Sequence, residues 1–257
     1  MRICSPKKRI FALLTAPFIL FNASAFAVDI QGMDGAAFYA HTTESVPVID
    51  EVYLSDTVFF GESTTAHLSR SGGILDTPLL RRCVWRDQSG TRMLDRRILT
   101  SLVDYTDREG VTRSLSFEEA LLCERPSRLV LSFGLNGILF FQKNTDAFLR
   151  DYERLILRIQ ELSPETHILI QSVYPVRRAE SFGCDAATLN SYITALNKCL
   201  RDFSKTTDGV SFLDTASVLR DESGYLKKNY DAGDGIHLSN DAYREILRFL
   251  CLDENRI

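Results

Sequence analysis

The sequence predicts an α/β protein, a three-layer α/β/α sandwich whose central sheet has five, mostly parallel strands. Short apolar segments of strand length alternate along the chain with longer segments whose apolar residues recur at helical spacing. The 257 residues, 45% hydrophobic and 25% charged, also have the composition of an ordinary globular protein, which excludes collagen-like and largely disordered chains.

Five segments are predicted to be buried strands. The clearest is residues 57–60, a mostly apolar run that ends at Gly61. The other four strands are expected at residues 83–85, 128–133, 167–173 and 210–213.

Outside these five strands, residues 102–115, with Glu109-Gly110 at their centre, predict a small hairpin insertion.

Three helices are predicted from one-sided apolar stripes. Packing against the sheet is sufficient to explain each stripe, because apolar residues at this spacing form the buried face of an amphipathic helix. Ser239 or Asn240 is a suitable N-cap for the last helix. The stripes consist of Phe148, Tyr152, Leu155, Ile156 and Ile159, of Leu189, Ile193, Leu196, Leu200 and Phe203, and of Tyr243, Ile246, Leu247 and Leu250.

The first 27 residues have the organisation of a secretory signal peptide. A basic start precedes an apolar run from Ile10 to Ala23, and Ala25-Phe26-Ala27 offers a cleavage signal of the A-x-A type. We therefore expect cleavage near Ala27, export to the periplasm or the medium, and no stable membrane insertion afterwards; an uncleaved N-terminal anchor is the alternative. Residues 28–50 are expected to form a lead-in segment to one domain, 51–257.

Charge and cysteine content limit the partners and cofactors of the exported chain. Its formal net charge would fall from −4 to −8 when the four basic residues of the leader are removed, which argues against a nucleic-acid partner. An odd number of cysteines would remain, so at least one thiol stays free or pairs outside the chain. The sequence contains no C-x-x-C pair, so it gives no support for a zinc site. The pairing is open among Cys83, Cys123, Cys184, Cys199 and Cys251.

Two glycine-containing turns follow predicted strands and carry polar side chains. Gly61-Glu62-Ser63 places the Ser63 hydroxyl at the carboxyl edge of the sheet, where active sites of such sheets lie. Gly134-Leu135-Asn136 follows the third strand, and the Asn136 amide could donate to a developing oxyanion. Taken alone, Ser63 is better explained as a helix-capping serine and Asn136 as a turn asparagine, and only the combination of residues favours catalysis.

Asp234 and His237 lie three residues apart in a glycine-rich loop before the last helix. A carboxylate at this spacing can accept a hydrogen bond from the imidazole Nδ1, which leaves Nε2 to act as a base. Together with Ser63 and Asn136, the pair supplies the groups needed for nucleophilic catalysis. His67, four residues after Ser63, is the alternative base.

The chain resembles the SGNH (GDSL-type) hydrolase family over about residues 51–250. Gly61-Glu62-Ser63, Gly134-Leu135-Asn136 and Asp234-Gly235-Ile236-His237 are similar to the first, third and last sequence blocks of that family. The resemblance implies an SGNH/flavodoxin-like fold and a serine hydrolase. It also implies that the catalytic residues are Ser63, Asp234 and His237.

The resemblance further implies an oxyanion hole formed by Ser63, Asn136 and a glycine of the second block. Gly90, after the second predicted strand, is our candidate for this glycine, and Gly72 and Gly73 are the alternatives. The family usually has Asp where Glu62 stands, which makes the first block less typical.

The activity implied by the resemblance is hydrolysis of a carboxylic ester through an acyl-enzyme, on an O-acetyl glycan, a short acyl ester or a lysophospholipid. An acyltransferase using the same residues and a non-catalytic exported binding protein are the alternatives. Thr65 occupies the last glycine position of the G-x-S-x-G elbow, which excludes that motif. Without an H-E-x-x-H sequence we expect no metal, and nothing suggests an organic cofactor.

Overall fold

A computed structural model describes residues 49–69, 74, 77, 81–88 and 93–252 of the chain. The expected signal peptide, the lead-in segment up to residue 48, and the candidate oxyanion glycine Gly90 with its alternatives Gly72 and Gly73 lie outside these residues. None of the described helices is both long enough and apolar enough to cross a membrane.

The described residues form a sheet of seven strands in the order β4-β3-β2-β1-β5-β6-β7. Strands β2, β1, β5, β6 and β7 run parallel to one another, whereas β3 and β4 run antiparallel to their neighbours. The strands are β1 (Thr57–Gly61), β2 (Val84–Asp87), β3 (Leu102–Thr106), β4 (Thr112–Ser116), β5 (Arg128–Ser132), β6 (His167–Gln171) and β7 (Val210–Leu213).

The five parallel strands are those that the sequence predicts, and the difference in strand number comes from the hairpin. Its turn lies at the predicted position, where Gly110 has a positive φ of 83°. β3 pairs with β2 through Arg86 and Asp104, so the hairpin extends the sheet instead of standing apart as an insertion. In β3, Val103 and Tyr105 are buried and alternate with more exposed residues, as expected of a half-buried strand. Such an alternation does not indicate which neighbouring strand β3 pairs with.

The helices connect the strands and cover both faces of the sheet. Ser239 caps the last helix as predicted, because its hydroxyl accepts a hydrogen bond from the backbone N–H of Ala242. The helices are α1 (Glu51–Ser55), α2 (Ser63–Ala66), α3 (Phe117–Glu124), α4 (Ile138–Phe141), α5 (Thr145–Leu162), α6 (Ala186–Ser204), α7 (Thr215–Leu219) and α8 (Asn240–Leu250).

Two hydrophobic cores lie on opposite faces of the sheet. In β1, Val58 and Phe60 join the core that α3, α5 and α6 cover, whereas Phe59 between them joins the core that α8 covers. This alternation requires apolar residues on both faces of one strand, which explains the unbroken apolar runs of the sequence. Burial of one such side chain stabilises the fold by about 1.5–3 kcal/mol. The predicted three-layer α/β/α sandwich is confirmed.

The cysteines of the described residues form no disulfide bond with one another. Cys83 is buried, and its Sγ contacts the carbonyl oxygen of Leu54 at 3.3 Å. Cys184 and Cys199, the pair nearest in sequence, are both partly buried thiols.

Candidate active site

Ser63 is the first residue of α2, directly beyond the carboxyl end of β1. The strand turns sharply here, and a side chain at Gly61 would collide with the carbonyl oxygen of Ser132 on the neighbouring strand β5. The same oxygen accepts a hydrogen bond of 3.1 Å from the backbone N–H of Glu62. The close approach of the two strand ends therefore requires glycine and fixes the position of the Ser63 hydroxyl.

Ser63, His237 and Asp234 form one hydrogen-bonded chain. The Ser63 Oγ lies 3.4 Å from His237 Nε2, across 174 residues of sequence. On the other side of the ring, His237 Nδ1 lies 2.5 Å from Asp234 Oδ2. An Nδ1–H that donates to the carboxylate leaves the lone pair of Nε2 to accept the serine hydroxyl. The arrangement can therefore withdraw the proton of Ser63.

The Asp234 carboxyl is ionised at neutral pH. Partial burial by itself would raise its pKa, but hydrogen bonds from the His237 ring and from the backbone N–H groups of His237 and Ile236 outweigh this effect and lower the pKa to about 2. The two backbone bonds, 2.8 and 2.9 Å long, both reach Oδ1. The other oxygen, Oδ2, is thereby directed at the imidazole.

The loop that carries Asp234 and His237 is fixed from two sides. Asp231 Oδ1 accepts the backbone N–H groups of Gly233 and Gly235, each at 2.8 Å. The carbonyl oxygen of Gly235 accepts the backbone N–H groups of Arg177 and Arg178 at 2.7 and 3.2 Å. Gly235 has a φ of +82° and packs directly on Arg178, so a side chain there would be both strained and obstructed.

Asn136 lies in the turn after β5, whose last residue, Ser132, pairs with Gly61 at the end of β1. The two turns therefore leave the same edge of the sheet next to each other. The Nδ2 group of Asn136 is buried and has no hydrogen-bond partner in the described part of the chain. Because unsatisfied buried donors are rare in native proteins, a free amide here is suited to an incoming oxyanion.

Glu62 connects the turn of Ser63 to the turn of Asn136. Its side chain is only 5% exposed, and its two carboxyl oxygens accept the backbone N–H groups of Gly134 at 2.8 Å and of Asn136 at 3.0 Å. Burial raises the pKa of Glu62 to about 8, although the hydrogen bonds from Gly134, Asn136 and Leu135 act in the opposite direction. Sequence reasoning missed this contact, since it treated Glu62 only as a departure from the family.

His67 also belongs to this site. Its ring lies 4.7 Å from that of His237, with 39° between the two planes. The ring that reaches the Ser63 hydroxyl is that of His237, and His67 packs against it. The spacing of four residues between Ser63 and His67, one helical turn, was the sequence signal for this proximity.

No group of three or more His, Cys, Asp or Glu residues within the described ranges is arranged to hold a metal ion. Ser63, His237, Asp234 and Asn136 supply a hydroxyl, an imidazole, a carboxylate and an amide, which are sufficient for acid–base and nucleophilic chemistry.

A model of the GDSL-like lipase/acylhydrolase family matches residues 59–245, a segment that includes Ser63, Asn136, Asp234 and His237. No curated protein gives a significant sequence match.

Two solved structures share the fold at low sequence identity. A DUF4886 family protein from Bacteroides uniformis ATCC 8492 superimposes with a TM-score of 0.53 and 12% identity, over 77% of this chain and 82% of its own. A protein from Desulfitobacterium hafniense DCB-2, assigned to the G-D-S-L family of lipolytic proteins, superimposes with a TM-score of 0.50 and 13% identity, over 76% of this chain and 97% of its own.

Proposed function

The chain belongs to the GDSL-like lipase/acylhydrolase family and is an ester-hydrolysing enzyme, and from this premise we propose that it is a serine esterase with Ser63 as nucleophile. His237 is the general base and Asp234 orients its ring. The observation that carries the proposal is the continuous hydrogen-bonded chain from the Ser63 hydroxyl through both nitrogens of His237 to Asp234.

The reaction proceeds in two steps. His237 Nε2 takes the proton of Ser63 as Oγ attacks the carbonyl carbon of the ester, and the ionised Asp234 stabilises the resulting imidazolium. The alcohol then leaves with the proton from His237, and the acyl group remains on Ser63. A water molecule, deprotonated by the same ring, attacks the acyl-enzyme and releases the carboxylic acid.

The negative oxygen of each tetrahedral intermediate is bound in an oxyanion hole. We assign its donors to the backbone N–H of Ser63, the Nδ2 group of Asn136 and the backbone N–H of Gly90. The buried Nδ2 group of Asn136 supports this assignment, because it donates to no acceptor among the described residues. Such donors act where charge develops and need no reorganisation during the reaction.

The proposed substrates are carboxylic esters encountered outside the cytoplasm, namely O-acetylated glycans, short acyl esters or lysophospholipids. We propose export because residues 1–27 contain a basic start, an apolar run and an A-x-A cleavage signal, in that order. Expression of the full chain in a bacterial host, followed by fractionation and N-terminal sequencing, tests it. We expect an exported protein that begins at Val28, and a full-length protein retained in the cytoplasm would contradict export.

Replacement of the nucleophile tests the proposed function. With p-nitrophenyl acetate as substrate, Ser63→Ala is expected to lower kcat by a factor of at least about 10⁴, because the remaining groups cannot form an acyl-enzyme. Ser69→Ala is the matched control, since within the described residues its hydroxyl bonds to the carbonyl oxygen of Ala66 and not to a residue of the proposed site. A Ser63→Ala protein as active as the wild type would refute the mechanism.

A further inference from the structure

A cavity lies beside the loop of Asp234 and His237. It is an open cavity of about 580 Å³, a volume typical of pockets for small ligands. Its described lining contributes three cationic side chains, Arg177, Arg178 and Lys228, and two carboxylates, Asp221 and Asp231. The proposed mechanism uses none of these side chains.

Both carboxylates of the cavity are occupied by neighbouring groups. Asp221 Oδ1 accepts two backbone N–H groups at 3.0 and 3.1 Å, and its Oδ2 lies 3.4 Å from Arg177 Nη1. Asp231 accepts the N–H groups of Gly233 and Gly235.

The cations are less completely compensated than the carboxylates. Arg178 donates to the carbonyl oxygen of Gly233, a neutral acceptor, and the exposed Lys228 ammonium forms no ion pair with any described residue. Two positive charges of the cavity lining therefore have no carboxylate partner among the described residues, in a chain whose formal net charge is −4. An anion entering here gains attraction without displacing an existing pair.

The cavity is connected to Ser63 through the loop that carries Asp234 and His237. The backbone N–H of Arg178 bonds to Gly235, which precedes His237 by two residues, and the His237 ring bonds to Ser63. Two residues of chain span at most about 7 Å, so with the His237 side chain and the two hydrogen bonds added, the Arg178 peptide in the cavity wall lies within roughly 20 Å of the Ser63 hydroxyl.

We propose that this cavity binds a carboxylate or phosphate group of the ester substrate, at a point within roughly 20 Å of the ester that reacts at Ser63. The inference rests on the proposed function and narrows its substrate class to anionic esters. The planar guanidinium group of Arg178 has N–H donors that suit either anionic group, and Lys228 adds a point charge. Arg177 Nη1 is already held by Asp221 and by the carbonyl oxygen of Leu226. Ser223 and Tyr225 complete the lining with hydroxyl groups.

Three acetate esters that differ only at the far end of one alkyl chain test the inference. They are the acetates of an ω-hydroxy fatty acid, of the corresponding ω-hydroxyalkyl phosphate and of the neutral ω-hydroxy amide, with a chain that spans roughly 20 Å when extended. We expect the wild type to prefer at least one anionic ester over the amide, mainly through a lower KM. Comparison of the carboxylate ester with the phosphate ester identifies which of the two anionic groups the cavity binds.

Lys228 variants connect this preference to the cavity. Lys228→Met is expected to lower the ratio of kcat/KM for the preferred anionic ester to that for the amide by roughly three- to tenfold, and Lys228→Glu is expected to lower it further. Lys205→Met is the matched control. Lys205 is an exposed residue directly after α6, in the connection that leads to the amino end of β7. It therefore lies away from the carboxyl edge of the sheet, where the catalytic residues are proposed.

Any of three results would overturn the cavity assignment. The kcat/KM ratio could be unchanged in both Lys228 variants, it could fall equally in Lys205→Met, or the wild type could show no preference for an anionic ester over the amide. In each of these cases hydrolysis of p-nitrophenyl acetate would still support the proposed function. A wild type that hydrolyses neither that ester nor the three acetates would refute both.

Discussion

At the scale of single residues, Glu62 couples the proposed nucleophile, Ser63, to the proposed oxyanion donor, Asn136. Its carboxyl group accepts backbone N–H groups from the turn that presents Asn136, while its own peptide precedes Ser63. A buried carboxyl that retains its proton at neutral pH fills this space without leaving a full charge in the interior. Glu62 is therefore a positioning residue, and we expect it to affect stability in a pH-dependent manner.

The raised pKa of Glu62 predicts the direction of that dependence. Its folded-state value of about 8 exceeds its usual 4.5, so between these pH values the folded protein holds a proton that the unfolded chain has released. The stability contributed by this proton is fully present below pH 4.5 and is lost as the pH rises to about 8. One proton corresponds to at most about 1.4 kcal/mol of unfolding free energy per pH unit.

Glu62→Gln removes the titration and should flatten the profile. Urea denaturation of the wild type and the variant at pH 5 and pH 8 measures the difference, and we expect the wild type to lose more stability over this interval. Asp234, with its pKa of about 2, does not change protonation there. Parallel losses in the two proteins would show that Glu62 does not titrate in this range.

Asn136→Ala tests the oxyanion donor. The substitution removes Nδ2 but leaves the backbone N–H that Glu62 holds, so the turn should keep its position. We expect kcat to fall by about 10²–10³ while KM changes little, because the amide bonds to the substrate oxygen mainly in the transition state. An unchanged kcat, or an effect confined to KM, would assign the oxyanion to other donors.

At the scale of elements, α6 positions the chain that supports the catalytic loop. Beyond β6 the backbone N–H of Ser172 still bonds to Leu213 of β7, and two asparagines of α6 then bond to the backbone of the residues that follow. Asn197 accepts from the N–H of Val173 at 2.7 Å and donates to its carbonyl at 2.9 Å, and Asn190 does the same for Val176 at 2.9 and 2.8 Å. The following arginines then hold Gly235.

Asn197→Ala should therefore destabilise the protein. It leaves the buried N–H and carbonyl of Val173 unpaired, and each unpaired group costs roughly 1–3 kcal/mol of unfolding free energy. Asn229→Ala, at an exposed position, is the control and should change stability by less than about 0.5 kcal/mol. Urea denaturation measures both, and equal midpoints for the two variants would contradict this role of Asn197.

The elements also show what the sequence could predict. Strongly periodic segments such as α5, α6 and α8 were predicted as helices, and the Ser239 cap was a predicted alternative, because these signals are local. The addition of β3 to β2 was not predictable, since pairing depends on contacts between distant segments. The contact of Glu62 was missed for a similar reason: its partners are backbone N–H groups, which every residue except proline provides.

At the scale of the whole molecule, the parallel sheet brings distant residues together. Ser63 and His237 were predicted to meet because active sites of such sheets lie at the carboxyl ends of the strands, and the structure places them 3.4 Å apart. The predicted fold class and family are confirmed by the architecture and by the match over residues 59–245. Gly90 stays a prediction, since it lies outside the described residues.

Covalent labelling with a fluorophosphonate tests the central claim most directly. An activated serine attacks phosphorus and expels fluoride, so the probe forms a stable bond to the nucleophile alone. We expect intact mass to show one phosphonyl group on the wild type, peptide mapping to place it on Ser63, and His237→Ala to react far more slowly. A label on another residue, or a catalytically active protein that the probe leaves unmodified, would contradict the account.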